Sequence, residues 1–293
     1  MKHNSLRISF EFYPPKTDEG HKNLQKAALA IAKVEPDFFS VTYGAGGSLQ
    51  NGTVAVVKEL QKSLSVPVAP HLTCINSTRE EISSLLTLYK SLGVKRIVAL
   101  RGDLPAGVQN TGELKFASDL IHLIRDTTQD YFQIEVGAYP EFHPQSQNAL
   151  DDVLNFKKKV EAGATNAITQ YFYNPDAYFN YIDYCAKLGI YIPIIPGIMP
   201  ITHFEKLARF SALCGAEIPQ WIAKRLSAYG DDEESVQAFG LEVVYDLCQR
   251  LIAGGAPGLH FYTLNQAEVS LRLLKLLNVT VPEAVKYEIE MKA

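Results

Sequence analysis

The sequence predicts a (β/α)8 barrel on three observations. Eight short β-rich runs recur, each followed by a turn cluster and a stretch of helical periodicity. Their spacing is even, at roughly 36 residues per unit. Polar and charged side chains gather just after the strand runs, the end of such a barrel where sites are built. An open doubly wound sheet is the alternative, because closure is not legible in a succession of strands.

The strand runs are Ile8–Tyr13, Phe38–Tyr43, Val68–Thr73, Arg96–Leu100, Gln133–Ala138, Asn166–Tyr171, Tyr191–Ile195 and Gly258–Tyr262. Helices are expected over His21–Lys33, Thr53–Ser63, Thr78–Leu92, Phe116–Arg125 and Ala149–Ala162. Further ones are expected over Pro175–Leu188, Thr202–Ser211 and Gln266–Leu277, with Ser235–Ile252 expanding the segment before the eighth strand. Local chemistry marks several boundaries. Ser77 or Thr78 can cap the third helix, with Glu80 and Glu81 opposing its dipole. Pro175 sits where its missing N–H costs nothing, and Gly93, Gly163 and Gly189 can serve as C-caps. Strand–helix alternation calls for parallel pairing through right-handed crossovers. No linker interrupts the pattern, so residues 1–293 read as one domain.

Composition narrows function. An apolar fraction of 47% with 20% charged residues excludes a disordered or fibrous chain. A net charge of −4 lacks the basic field of a nucleic-acid binder. The longest charge-free apolar run, Ile190–Phe204, is short for a bilayer span and carries Pro193, Pro196 and Pro200, so no membrane association is expected. Nothing near Met1 reads as a secretory h-region. Cys74, Cys185, Cys214 and Cys248 are scattered without a C-x-x-C pair, as expected of reduced thiols in a cytoplasmic protein.

The strand ends offer the chemistry. Glu11, between Phe10 and Phe12, is either a solvated or paired carboxylate, or an acid whose pKa apolar neighbours raise toward neutrality. The stretch Thr42-Tyr43-Gly44-Ala45-Gly46-Gly47 is a flexible turn or a surface that lets a flat ligand approach the backbone. Arg101-Gly102-Asp103 offers an anion contact and an acceptor, or a self-neutralising pair. Tyr139 and His143, in a proline-bounded loop, can stack on a ring and hold a phosphate, or simply pack that loop. Asp152, Asn155 and Lys159 share one helix face, either solvated or available to ribose hydroxyls and a diphosphate. Gln170 is a buried, satisfied amide or a paired contact for a heteroaromatic ring. With His71 these residues form a polar rim, and the opposite end of the barrel shows no comparable gathering. Zinc-ligand spacings and G-x-S-x-G are absent, and no strand core holds a Schiff-base lysine, so no metal is expected.

Taken together, these segments resemble the methylenetetrahydrofolate reductase family in its bacterial form, which consists of the catalytic domain alone. The matching blocks are Phe10–Lys16, Ser40–Ala45, Pro70–Cys74, Ala99–Pro105, Ala138–Pro144, Ala162–Ala164, Ile168–Phe172, Pro196–Pro200 and His260–Asn265. They fall in order at successive strand ends over nearly the whole chain.

The resemblance implies a single FAD-binding (β/α)8 catalytic domain. It implies reduction of 5,10-methylenetetrahydrofolate to 5-methyltetrahydrofolate by NADH or NADPH, ping-pong through FAD, feeding methionine synthesis. Glu11 becomes the acid that assists opening of the folate's five-membered ring, and Asp103 a catalytic neighbour of the flavin pyrimidine. Flavin contacts fall to Thr42, Tyr43, Ala45, His71, Arg101, Gly102, Asp103, Ala117, Tyr139, His143, Asp152, Asn155 and Lys159. Folate or nicotinamide contacts fall to Glu11, Gln170, Phe210, Lys206 and Gln266. Two positions depart from the family pattern: Gln266 stands where bacterial relatives often carry arginine, and Lys206 where some carry an uncharged residue. A homo-oligomer is implied, without the adenosylmethionine-responsive extension of eukaryotic members. A non-catalytic flavin or folate binder and a flavin-free lyase on the same barrel are the competing readings.

Overall fold

The structure is a computed structural model that describes residues 6–43, 50–103 and 112–279. It opens with β1 (Arg7–Phe12), α1 (Asp18–Ala32), β2 (Phe38–Val41), α2 (Gln50–Ser63), β3 (Val68–Thr73) and α3 (Arg79–Ser91). The alternation repeats through β4 (Arg96–Leu100), α4 (Ala117–Thr128), β5 (Gln133–Ala138), α5 (Ala149–Glu161), β6 (Asn166–Thr169) and α6 (Pro175–Lys187). Then come β7 (Ile194–Ile195), β8 (Gly197–Ile198), α7 (Phe204–Cys214), α8 (Gln220–Tyr229), α9 (Glu233–Ala253), β9 (Gly258–Tyr262) and α10 (Glu268–Leu276). Helix boundaries follow the capping chemistry. Thr78 Oγ1 accepts from Glu81 N–H at 3.2 Å while Glu81 Oε2 accepts from Thr78 N–H at 2.8 Å, a reciprocal cap.

Neighbouring strands pair in parallel in the order β7-β6-β5-β4-β3-β2-β1-β9-β8. The two ends of that order are consecutive pieces of one strand, since β7 pairs with β6 and β8 with β9. The sheet therefore closes, with its seventh strand shifted from the expected Tyr191–Ile195 and broken at Pro196. Proline has no N–H for a ladder, but its carbonyl accepts from His260 N–H at 3.0 Å. Thr169 stitches the break. Its Oγ1 accepts from Gly197 N–H at 2.9 Å, and its carbonyl accepts from the Tyr262 hydroxyl at 2.6 Å. Sequence periodicity misses α8, because burial of Ile222 and Leu226 alone marks too little of a ten-residue helix.

Period-two alternation along the strands separates two apolar cores. Ile8, Phe10 and Phe12 face the helices and join the main core, whereas Phe38, Ala69, Val98 and Ile168 cluster inside the barrel. The strand-start end of the barrel interior is polar, contrary to the expectation of a bland face. There Arg96 pairs with Glu135, Asn166 Nδ2 donates to Glu135 Oε1 at 3.1 Å, and Arg7 Nη1 donates to Asn166 Oδ1 at 3.4 Å. These residues lie near the starts of four strands, where a sequence reading treats charge as solvated; mutual pairing is what permits burial of Glu135. Among the described residues no helix is long and apolar enough to cross a membrane, and the four cysteines are free.

Candidate active site

The alternation that sends Phe10 and Phe12 toward the helices places Ser9 and Glu11 on the other face of β1. Glu11 Oε2 lies 3.3 Å from His71 Nε2 on β3 and 3.8 Å from His260 Nε2 on β9. Ser40 on β2 donates to the same oxygen at 3.5 Å. His260 is fully buried, and its Nδ1 shares a 2.7 Å hydrogen bond with Ser9 Oγ. Burial pushes the Glu11 pKa up, but the imidazoles of His260 and His71 beside it outweigh that and bring it down to about 2. The expectation of a raised pKa is thereby corrected. Phe10 and Phe12 are neighbours of Glu11 in sequence but not in space, where the carboxylate meets imidazoles.

A second group runs as an arc from the end of β4 to α5. Arg101 Nη2 donates to Gln145 Oε1, Gln145 N–H donates to His143 Nδ1 at 3.0 Å, and the His143 ring meets Tyr139 edge-on at 4.6 Å. Lys159 Nζ donates to the Gly137 carbonyl at 2.5 Å and lies 6.0 Å from the Tyr139 ring. Burial lowers the Lys159 pKa to about 8, against the opposing charge of Asp152. Burial also raises Asp152 and lowers His143. Asp152 accepts from Ser146 Oγ at 3.1 Å and is buried, whereas Asn155 is exposed and accepts from Lys158 Nζ at 3.1 Å. The expected shared helix face is therefore split, with Asp152 and Lys159 packed inward and Asn155 outward.

Other candidates take separate places. Thr42 N–H donates to Phe12 O at 2.9 Å beside the Glu11 strand, and Tyr43 follows it, its pKa raised by burial and by Glu81. Gly102 adopts φ +92, and a Cβ there would meet Ile75 Cγ2 at 2.8 Å, so the Arg101–Asp103 turn demands glycine. Asp103 is exposed, and Ala117 opens α4 half-buried. Gln170 follows β6 and shares a small pocket with Tyr139, Glu141, Tyr171 and Cys214; its Oε1 accepts from Tyr171 N–H at 3.0 Å. Lys206 and Phe210 are exposed on α7, and Gln266 is exposed after β9. Ala45 lies outside the described residues. Sequence reasoning misses His260, Ser9 and Ser40 as site residues. Their signal is the polar position at every second residue of an otherwise apolar strand, Ser9 and Glu11 on β1 and His260 and Tyr262 on β9.

Comparison with known proteins bears on this barrel. A family model described as methylenetetrahydrofolate reductase matches residues 1–278. The chain belongs to the methylenetetrahydrofolate reductase family. It is 38% identical over 274 residues to the 5,10-methylenetetrahydrofolate reductase of Escherichia coli strain K12, covering 94% of this chain and 91% of that one. The enzyme of the same name from Buchnera aphidicola subsp. Acyrthosiphon pisum is 39% identical over 277 residues, covering 94% and 93%. Among solved structures, an uncharacterised Clostridium thermocellum protein reported to bind two copies of 5-methyl-5,6,7,8-tetrahydrofolic acid has a TM-score of 0.65 at 20% identity, covering 93% of this chain and 95% of that one. At that identity the likeness is one of fold. For a methylenetetrahydrofolate reductase, an oxidoreductase family of one-carbon metabolism, the Glu11 cluster and the Arg101–Lys159 arc form the natural candidate site.

Proposed function

We propose that the protein reduces 5,10-methylenetetrahydrofolate to 5-methyltetrahydrofolate with NADH or NADPH as donor and FAD as resident cofactor, supplying a methyl group for methionine synthesis. The observation that carries the reading is a carboxyl group, Glu11, held by His71 and His260 at the site end of a barrel of this family.

The residues present fit a flavin dinucleotide. His71 Nε2 is buried, and its 3.3 Å contact with Glu11 Oε2 lacks hydrogen-bond geometry, so a ring carbonyl or nitrogen would satisfy it. Arg101, His143 and Lys159 bring cationic or donor groups to one arc, as a diphosphate requires. Tyr139 adds an aromatic face, and Thr42, Tyr43, Gly102, Ala117, Asp152 and Asn155 complete the proposed set with Asp103. When bound, FAD would supply hydride transfer between nicotinamide and the folate carbon.

The protein's own part is proton management. Opening the folate's five-membered ring leaves a ring nitrogen that must be protonated, and Glu11 is the acid in this reading. At rest Glu11 is a carboxylate. Planar ligands covering the barrel mouth would expel water and raise the cost of its charge, moving it toward the protonated form. Gln170 would orient the pterin through its amide, with Lys206, Phe210 and Gln266 on the folate or nicotinamide side.

Anaerobic stopped flow on the purified protein tests the assignment. Flavin absorbance should bleach with NAD(P)H and return with methylenetetrahydrofolate. Glu11→Gln should slow the return by about 10²–10⁴-fold and leave the bleaching within about tenfold of the parent. Return at the parental rate excludes Glu11 as the acid. A protein that bleaches but is never reoxidised by the folate is not this reductase. Adding FAD to stripped protein should also raise its melting temperature, by about 2.7 kcal/mol of stabilisation at a hundredfold excess over Kd.

A further inference from the structure

Resting on that functional reading, we propose that Tyr171 and Glu141 are positioning residues that pin α7, and with it Phe210 and Lys206, beside the barrel mouth. Lys206, Phe210 and Cys214 recur every four positions and share one face of that helix. Cys214, at the end of this stripe, lines the small pocket that Gln170 and Tyr139 also line. Phe210 and Lys206 therefore run outward from the pocket in a line, about 12 Å long over eight residues. Burial alone holds the helix weakly. Leu207 is its buried apolar side chain, Phe204 and Cys214 are partly covered, and Phe210 and Leu213 are exposed.

Polar contacts make up the difference at two points. The Tyr171 hydroxyl shares a 3.0 Å hydrogen bond with Ser211 Oγ on α7, and both residues are buried. Tyr171 N–H donates to Gln170 Oε1 at 3.0 Å, so this pin and the pterin-side amide belong to one turn. Past the end of the helix, Glu141 Oε2 accepts from Glu217 N–H at 2.8 Å. Glu141 stands between Tyr139 and His143 in the flavin-side loop. Gly215 caps the helix at φ +75 against Pro144 of the same loop, and a Cβ there would meet Pro144 Cγ at 2.7 Å. The helix is thus referenced to two site loops at once, one following β6 and one following β5. Phe210 adjoins Ser211 in the chain, so a freed Ser211 lets the ring drift, and small misplacements at a binding surface are costly.

Hydrogen exchange and steady-state kinetics on the FAD-loaded protein decide the matter. Tyr171→Phe keeps the ring and loses the hydroxyl. Amides of residues 204–217 should then exchange about threefold to tenfold faster, as loss of one hydrogen bond implies, with α6 and α9 unchanged. The KM for methylenetetrahydrofolate should rise by a similar factor, with kcat and the Kd for FAD within about twofold of the parent. Ser211→Ala should match it, and the double variant should be no worse than either single one. Unchanged exchange in α7, additive effects in the double variant, or a loss of FAD affinity that keeps pace with the KM overturns the proposal. At the second pin, Glu141→Ala should loosen the same amides, and Glu141→Gln, which keeps an acceptor oxygen, should restore them. A glutamine no better than alanine overturns that pin. Should Tyr171→Phe fail to fold, Ser211→Ala removes the same bond from the helix side and carries the test alone. A parent protein that never turns over the folate sinks the functional reading, while the exchange measurements still decide whether the pins hold α7.

Discussion

Asn265 holds the backbone of Tyr13 at two points. Its Oδ1 accepts from Tyr13 N–H at 3.0 Å, and its Nδ2 donates to Tyr13 O at 2.9 Å. The side-chain amide thus continues the β1–β9 ladder past the Glu11–Tyr262 pair, where Thr263 Oγ1 already donates to the Glu11 carbonyl at 2.6 Å. Leu264 and Asn265 take φ +50 and +60 to bring the amide round, a conformation asparagine tolerates well. The strand end that carries Glu11 is held from β9, across the seam that joins the first and last strands.

Asn265→Ala removes the partner of the Tyr13 N–H and C=O, at a cost of about 1–3 kcal/mol. Urea denaturation should show that loss. Folate-driven reoxidation should also slow more than NAD(P)H-driven reduction, because Glu11 loses its anchor. Equal effects on both half-reactions would mean the amide is structural only.

The Glu11 pKa carries a sign for acid stability. Its folded value of about 2 lies below the ordinary 4.5, so ionised Glu11 stabilises the fold above 4.5 and that contribution is lost as pH falls toward 2. The amount is roughly 3 kcal/mol by linkage. Denaturation curves taken between those limits should fall steeply for the parent and more gently for Glu11→Gln. Parallel curves would show that the histidines do not hold the carboxylate.

Gly197→Ala tests the stitched strand break. A Cβ there would meet Thr169 O at 2.2 Å and Tyr262 Cε2 at 2.6 Å, both fixed by hydrogen bonds. Overpacking of this kind costs about 1–3 kcal/mol, more where backbone cannot shift. Gly189→Ala is the reference, with open space but φ +76, worth about 1–2 kcal/mol. Calorimetry should rank Gly197→Ala as the more damaging; the reverse order would mean the break is loose.

Gln266→Arg addresses the departure from the family pattern. Gln266 is exposed beside the Asn265 anchor, so a new side chain meets no packing obstacle. Added positive charge should lower the KM for the anionic folate, more strongly at low salt, with flavin reduction by NAD(P)H unchanged. A changed nicotinamide half-reaction would assign the residue to the other substrate.

Much of this molecule is legible in local pattern. Apolar runs, helix caps such as Thr78, and the order of strands and helices follow from short-range sterics and hydrogen bonding, which a sequence displays directly. The residues at the strand ends are legible for the same reason, since their place after each run is a matter of chain order. The electrostatics of Glu11 are not. Alternation turns Phe10 and Phe12 away and brings in His71 and His260, and that reversal of its pKa depends on partners 60 and 249 positions along the chain. Closure through a broken seventh strand is likewise nonlocal. It needs Thr169 and Tyr262 to satisfy what Pro196 cannot, because a proline removes a ladder donor in sequence but only distant groups can replace it.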